Sequence, residues 1–189
     1  SYPDKFYGAV RIDPWKREKA IDEFEKRFTS PQFKAIYLHP WEEHFQCNNE
    51  IVYPVMAFAQ ERSLPVIIES GYPWMSHISQ IGDLARLYPT VKILATNAGQ
   101  LDLSGLTLGE VNRLLKKHEN LYLGTSSAVA AEWLADLIQK GVPDRMVFES
   151  HYPFTQPYME IFRITHGYIQ EEDKRRVLRE NIGGFLGLK

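Results

Sequence analysis

The sequence has little cysteine, no long apolar run and no excess of basic residues, and each shortage excludes a class of protein. Cys47 is the only cysteine among 189 residues, so no disulfide can form within the chain. No apolar run approaches the roughly 20 residues that cross a bilayer, and the N-terminal residues do not resemble a signal peptide. With 22 basic and 24 acidic residues, a nucleic-acid-binding surface is not expected. These features predict a soluble, cytoplasmic protein.

Several catalytic signatures are missing as well. The chain has no Gly-x-Ser-x-Gly elbow, no glycine-rich phosphate loop and no Cys-x-x-Cys pair. It does have 44% hydrophobic and 24% charged residues, without a linker or a low-complexity tract. That composition is typical of a globular protein with a substantial core. We therefore predict one domain over 1–189.

Short apolar runs alternate with amphipathic segments along the whole chain. Strands are predicted over 6–13, 33–39, 65–70, 92–98, 121–127 and 146–150, and helices over 17–28, 50–61, 77–88, 108–118, 131–141, 157–168 and 171–182. Strands that alternate with helices in this way indicate successive βα units and a parallel sheet. Six such units fit either an open doubly wound sheet or part of a barrel.

Three of the predicted strands end in a polar residue followed by a turn. The segments are LPVIIESGYP (64–73), VKILATNAGQ (91–100) and RMVFESHYPF (145–154), and their polar residues are Glu69, Thr96 and His151. The segments resemble the stretches LPVxIHxG, xILAHxGG and RxLFGSDYPF of the amidohydrolase-related metal-dependent hydrolases and decarboxylases. In that family the corresponding residues are two His and an Asp of the metal site. The resemblance therefore implies a metal site whose three ligand positions are substituted here.

The resemblance covers nearly the whole chain, from FYGAVRIDP to RVLRENIGGFLGL. It implies a TIM-type (β/α)8 barrel, of which this chain corresponds to units three to eight. The first two units, with the family's His-x-His or Glu-x-His metal motif, would then lie outside the sequence. Because open strand edges favour association, we expect either that the chain is a fragment of a longer gene product or that a partner chain or a second copy covers the opening.

Glu69 and His151 are the candidate catalytic residues, and three hypotheses concern them. Both side chains are competent zinc ligands, but a catalytic zinc needs three protein ligands and a water. A divalent metal such as zinc would therefore need ligands from outside this chain. Direct pairing of Glu69 with His151, or with neighbouring backbone, satisfies both groups without a metal. The pair is also suited to metal-free acid–base chemistry.

Four further residues are candidate substrate-binding groups, namely His39, Thr96, Asn97 and Trp74. His39 either contacts a ligand or caps the turn after its strand, and Trp74 either walls a pocket or covers the missing units. Amide and hydroxyl groups at strand ends orient small ligands. The sequence thus predicts a divergent amidohydrolase-like protein that lacks the usual metal site and binds a small molecule or a partner. The alternative is a metal-dependent hydrolase or decarboxylase of small organic acids, esters or amides, with a rearranged metal centre.

Overall fold

The computed structural model describes residues 6–99, 107–128 and 131–188. Six parallel strands form one sheet in chain order, with helices alternating along it. The strands are β1 Gly8–Arg11, β2 Phe33–Leu38, β3 Val66–Ile68, β4 Ile93–Ala95, β5 Leu121–Gly124 and β6 Met146–Val147. The predicted parallel α/β architecture is confirmed, and it has the chain order expected for part of a barrel.

Nine α-helices lie within the described residues. They are α1 Glu18–Arg27, α2 Pro40–Glu43, α3 Tyr53–Arg62, α4 Ile78–Leu87, α5 Leu108–Lys117, α6 Ala131–Lys140, α7 Pro157–His166, α8 Glu171–Arg175 and α9 Asn181–Leu186. A π-helical turn, Arg176–Glu180, joins α8 to α9 within the region predicted as one last helix. None of the described helices is both long and apolar enough to cross a membrane.

Alternate residues of each strand face opposite sides of the sheet, as the pleat requires. One side joins the main core beneath the helices, as at Val66 and Ile68 of β3. The other side, which we call the inner face, carries the residues between them, together with Phe185 of α9. Its apolar members are Ile67, Leu94, Tyr122, Val147 and Phe185. A sheet with both faces buried explains why the strands have nearly continuous apolar sequences.

The observed strands are shorter than the predicted ones at their C-terminal ends. Ladder bonding continues for one residue beyond β3, where Glu69 N–H donates to Leu38 O at 2.9 Å, and beyond β4, where Thr96 N–H donates to Ile68 O at 3.1 Å. After β4 the backbone enters the left-handed region at Asn97 and Ala98, with φ of 54° and 50°. This change in conformation ends the strand and turns the chain across the end of the sheet.

Asn120 joins three segments and provides a test of this fold. Its side-chain amide donates to Ala85 O, Tyr88 O and Val91 O at 3.1, 3.0 and 2.9 Å, at the end of α4 and the approach to β4. Asn120→Ala leaves these carbonyl groups without that donor, so the free energy of unfolding should fall by about 1–3 kcal/mol. Urea denaturation measures the loss. The adjacent exposed Glu119→Ala is the control, and an equal loss in that variant would contradict the assignment.

Candidate functional site

Four polar side chains continue the inner face past its apolar half. Tyr37 lies between the core residues Ile36 and Leu38, so it projects to the inner side. Glu69 lies two residues after the inner-face residue Ile67, and Thr96 lies two residues after Leu94, so both side chains project to the inner side. Glu149 lies two residues after Val147 and has the same orientation. The C-terminal ends of the strands therefore carry a polar group above an apolar floor. This is the end of the sheet at which a β/α barrel builds its active site.

Glu69 is 5% exposed, and both oxygens of its carboxylate have partners. Tyr37 Oη and Thr96 Oγ1 donate to Oε2 at 2.8 and 3.1 Å. The Asn97 amide donates to Oε1 at 2.7 Å, and His151 Nε2 lies 3.4 Å from the same oxygen. A buried carboxylate is stable only when such groups replace its lost hydration. Glu69 is thus a negative charge held by uncharged donors and one imidazole.

Asn97 connects Glu69 to a second carboxylate. While its side chain donates to Glu69, its backbone N–H donates to Glu149 Oε2 at 2.8 Å. Its own Oδ1 lies 3.2 Å from the Ser126 hydroxyl and 3.3 Å from the Ser127 hydroxyl, which donate to it. The left-handed backbone at this residue presents the N–H and the side chain to the two carboxylates together, and asparagine tolerates that conformation better than most residues.

The Glu149 carboxyl packs closely against a glycine of the neighbouring strand. A Cβ placed on Gly124 of β5 would lie 2.1 Å from Glu149 Oε2. Burial raises the pKa of Glu149 to about 7, and the nearby negative charges of Glu69 and Glu160 act in the same direction. The Asn97 N–H opposes that rise because it stabilises the ionised form. Glu149 is therefore a carboxyl group that changes charge near neutral pH.

The ring of His151 projects over the site from the loop after β6. The residue has a φ of 50°, and its side chain is 20% exposed, against 6% for the side chain of Glu69. Glu160 of α7 is a third carboxyl group near the strand ends; it is 3% exposed, and burial raises its pKa. Arg163 NH1 lies 3.6 Å from Glu160 Oε2 and also donates to Ala128 O. Three carboxyl groups thus converge on this end of the sheet.

The Tyr37 hydroxyl stays protonated beside the Glu69 carboxylate. Burial raises its pKa, and the adjacent Glu69 carboxylate raises it further because a phenolate there would face a negative charge. Its hydroxyl therefore keeps its proton and continues to donate to Glu69. Arg11 of β1 is the register partner of Tyr37 on β2. Its guanidinium group donates to both Glu42 and Glu43.

The predicted site residues divide into two sets. Glu69, Thr96, Asn97 and His151 come together in one hydrogen-bonded group. His39 lies apart from that network, because its Nδ1 accepts the Glu42 N–H at 3.3 Å and caps α2. Its ring nevertheless packs edge-on against the ring of Tyr37. Trp74 is 77% exposed, and its carbonyl accepts from Gln80 Nε2 at 3.3 Å. The substrate-binding and catalytic roles of the six predicted site residues stay predictions.

Three residues of the site were missed by sequence reasoning, namely Tyr37, Glu149 and Glu160. Tyr37 and Glu149 were detectable, since each is the polar member of an alternating strand pattern. Glu149 also occupies a position at which the resembling motif, RxLFGSDYPF, has glycine. Glu160 gave no comparable signal, because only the packing of α7 brings it to the strand ends.

The residues present do not fit a metal centre by themselves. Over the described ranges, no three His, Cys, Asp or Glu side chains are arranged to hold a metal ion. The Thr96 hydroxyl donates to Glu69 and accepts from Ser70 N and from the Asn97 amide, at 3.0 and 2.9 Å. A ligand role for Glu69 would disrupt its existing hydrogen bonds. Glu69 and His151 are the pair closest to a ligand set, and two ligands are fewer than a catalytic zinc requires.

The chain belongs to the amidohydrolase family, whose family model matches residues 1–188. An uncharacterised TIM-barrel protein from Bordetella bronchiseptica superposes with a TM-score of 0.82 and 18% identity, over 98% of this chain and 68% of its own. The 5-carboxyvanillate decarboxylase of Sphingomonas paucimobilis superposes with a TM-score of 0.75 and 15% identity, over 99% of this chain and 68% of its own. A dihydroxybenzoic acid decarboxylase of Polaromonas, with bound manganese and the inhibitor 2-nitroresorcinol, superposes with a TM-score of 0.74 and 17% identity. The match covers 98% of this chain and 70% of that protein.

The family model confirms the family that the motifs indicated, and the structural neighbours confirm the TIM-type fold. Each neighbour is longer than this chain, which spans about two thirds of the barrel proteins that it superposes on. No curated protein sequence matches the chain. At these identities the structural likeness establishes the fold alone, and the chemistry must be argued from the site.

The raised pKa of Glu149 predicts a pH-dependent stability. Because its folded pKa lies above the ordinary value of 4.5, the contribution of Glu149 to stability is full below about pH 4.5 and is lost as the pH rises through about 7. Relative to Glu149→Gln, the free energy of unfolding should fall by on the order of 3 kcal/mol across that interval. Urea unfolding of both proteins over this pH range measures the difference. Parallel pH profiles for the two proteins would show that the prediction is wrong.

The close approach of Gly124 to Glu149 predicts an energetic coupling. Gly124→Ala should lower the free energy of unfolding by about 1–3 kcal/mol, because the new methyl group displaces the Glu149 carboxyl from the Asn97 N–H. In a Glu149→Gly background the same change should cost far less. A double-mutant cycle from urea denaturation measures the coupling. Equal costs in the two backgrounds would contradict the proposed fit.

Proposed function

We propose that this chain forms an amidohydrolase-like barrel protein whose strand-end site binds a small molecule without the family's usual metal. One observation carries the proposal. Glu69, at a position where the resemblance implies a metal-ligand histidine, has both carboxylate oxygens engaged by groups of the chain itself. Charge-assisted hydrogen bonds of this kind are among the strongest in proteins. A metal would have to displace them to bind Glu69.

Two more features support a metal-free site. Thr96 replaces the second implied histidine, and its hydroxyl has a donor role and two acceptor roles already filled. His151 replaces the implied aspartate, so the charge at that position changes from negative to neutral or positive. In chemical terms, Glu69 and His151 form a carboxylate–imidazole pair in which the more exposed imidazole is the group that an incoming ligand meets. Any proton transfer would therefore begin at His151.

Metal binding tests the proposal directly. The intact protein, incubated with Zn²⁺ or Mn²⁺ and then desalted, should retain far less than one ion per chain by elemental analysis. Its thermal midpoint should also be the same with and without a chelator, because a ligand stabilises only a protein that binds it. Retention of one ion per chain, lost in Glu69→Ala and His151→Ala but kept in the surface control His166→Ala, would overturn the proposal.

A second candidate function is a metal-dependent hydrolase or decarboxylase of small organic acids, esters or amides. The manganese-bound decarboxylase among the structural neighbours favours it, as does the 3.4 Å approach of His151 to Glu69. Its remaining ligands would have to come from outside the described residues. Under this alternative, a chelator abolishes turnover, and Glu69→Ala and His151→Ala do the same. A partner or second copy along β1 and β6, and a cytoplasmic location, also stay proposals.

A further inference from the structure

A cavity of about 270 Å³ lies between the C-terminal end of β1 and α1. The described residues that line it do not include Glu69 or its hydrogen-bond partners. Four lining residues, Ala20, Glu23, Phe24 and Arg27, form one stripe of α1, which runs for roughly 10 Å at about 1.5 Å per residue. The cavity is therefore a groove along the helix, with room for about nine groups the size of a water molecule.

A buried carboxylate oxygen without a partner lies at one end of this groove. The side chain of Glu43 is 13% exposed, and its Oε1 accepts from Arg11 Nε. Its Oε2 is buried and has no hydrogen-bond partner among the described residues. Such an oxygen has lost hydration that the chain does not replace, which is costly for an ionised group. A ligand that donates a hydrogen bond to Oε2 would restore the missing partner.

Asp13 adds negative charge to the same end. It lines the groove, and its Oδ1 accepts from Trp15 N–H at 3.0 Å, while Trp15 Nε1 donates to Glu43 O at 2.7 Å. Within the part of the chain that the structure describes, Asp13 has no cation at ion-pair distance. Arg11, which also lines the groove, is shared between Glu42 and Glu43. This end therefore favours a ligand group that is both a donor and positively charged.

The other end carries a positive charge that is not paired. Arg27 is the last residue of α1, and none of the described carboxylates lies at ion-pair distance from it. Glu23, one turn earlier, is engaged by Lys16 Nζ at 3.0 Å. The Lys16–Glu23 pair is neutral as a whole, so it leaves the positive charge of Arg27 in place. A carboxylate would be attracted to this end of the groove.

We infer that the groove binds a small, elongated zwitterion, with its ammonium group at Glu43 and Asp13 and its carboxylate at Arg27. Ile12, Ala20 and Phe24 line the groove and present apolar surface to the methylene body of such a molecule. A ligand with a single charge satisfies only one end. The inference goes beyond the proposed function, because it concerns a second site whose residues are separate from the strand-end group.

Three probes with the same six-carbon chain and different charges test the inference. They are 6-aminohexanoate, hexylamine and hexanoate, titrated into the intact protein at about pH 7, where both end groups are ionised, and followed by NMR of the backbone amides. The zwitterion should bind roughly tenfold more tightly than either singly charged probe, because only it engages both ends. Its shift changes should include the amides of Ala20 and Phe24.

Two variants separate the contributions of the two ends. Glu43→Gln should lower the affinity for 6-aminohexanoate to that for hexanoate, because the ammonium group no longer meets a charged partner. Arg27→Gln should lower it to that for hexylamine, because the carboxylate loses its guanidinium group. The exposed Glu18→Gln and Lys26→Gln, on the same helix, make the same changes of charge outside the groove. Both controls should keep the preference for the zwitterion.

Several outcomes would overturn the inference. They are equal affinities for the three probes, no binding of 6-aminohexanoate, and shift changes that leave α1 unaffected. A preference for the zwitterion that survives both Glu43→Gln and Arg27→Gln would place its binding elsewhere on the protein and would overturn the inference as well. Metal retention at Glu69 and His151 is a separate measurement, so failure of this inference leaves the proposed function standing.

Discussion

A carboxylate buried at the end of β3 is the constraint around which the polar end of this sheet is arranged. Glu69 has left bulk water, and its charge persists only because donors from the neighbouring strands and loops replace the lost hydration. Tyr37 comes from β2, Thr96 and Asn97 come from the end of β4, and His151 comes from the loop after β6. Three other segments thus meet at the Glu69 side chain, which fixes their positions relative to β3.

The same constraint explains the backbone at the end of β4. A strand that continued past Thr96 would direct the Asn97 side chain to the opposite face of the sheet, away from Glu69. The left-handed conformation at Asn97 and Ala98 turns the amide back towards the carboxylate and aims the Asn97 N–H at Glu149. Gly124 completes the arrangement, because any larger residue would occupy the space of the Glu149 carboxyl. Local backbone strain is therefore offset by two hydrogen bonds to carboxylates.

The sequence predicted the fold better than the site, and the reason lies in what each depends on. Buried parallel strands and amphipathic helices follow from local apolar patterns, so all six strands were found, with ends that were too long. Glu69, Thr96 and His151 were located because strand ends are recognisable in the motifs. Asn97 was placed inside a predicted strand, since its left-handed turn follows from contacts with Glu69 and Glu149. Glu160 arrives through the packing of α7, which no local pattern encodes.

Whether Glu69 meets uncharged donors or a metal ion decides the sign of the charge that a ligand encounters. Hydroxyl and amide donors stabilise a carboxylate but leave its negative charge in place, whereas a divalent cation bound by two carboxylates is neutral and keeps an attraction for further anions. The manganese-bound decarboxylase and this chain share a fold, yet the fold does not determine that sign. In this chain Thr96, Asn97 and Tyr37 give Glu69 partners that carry no charge.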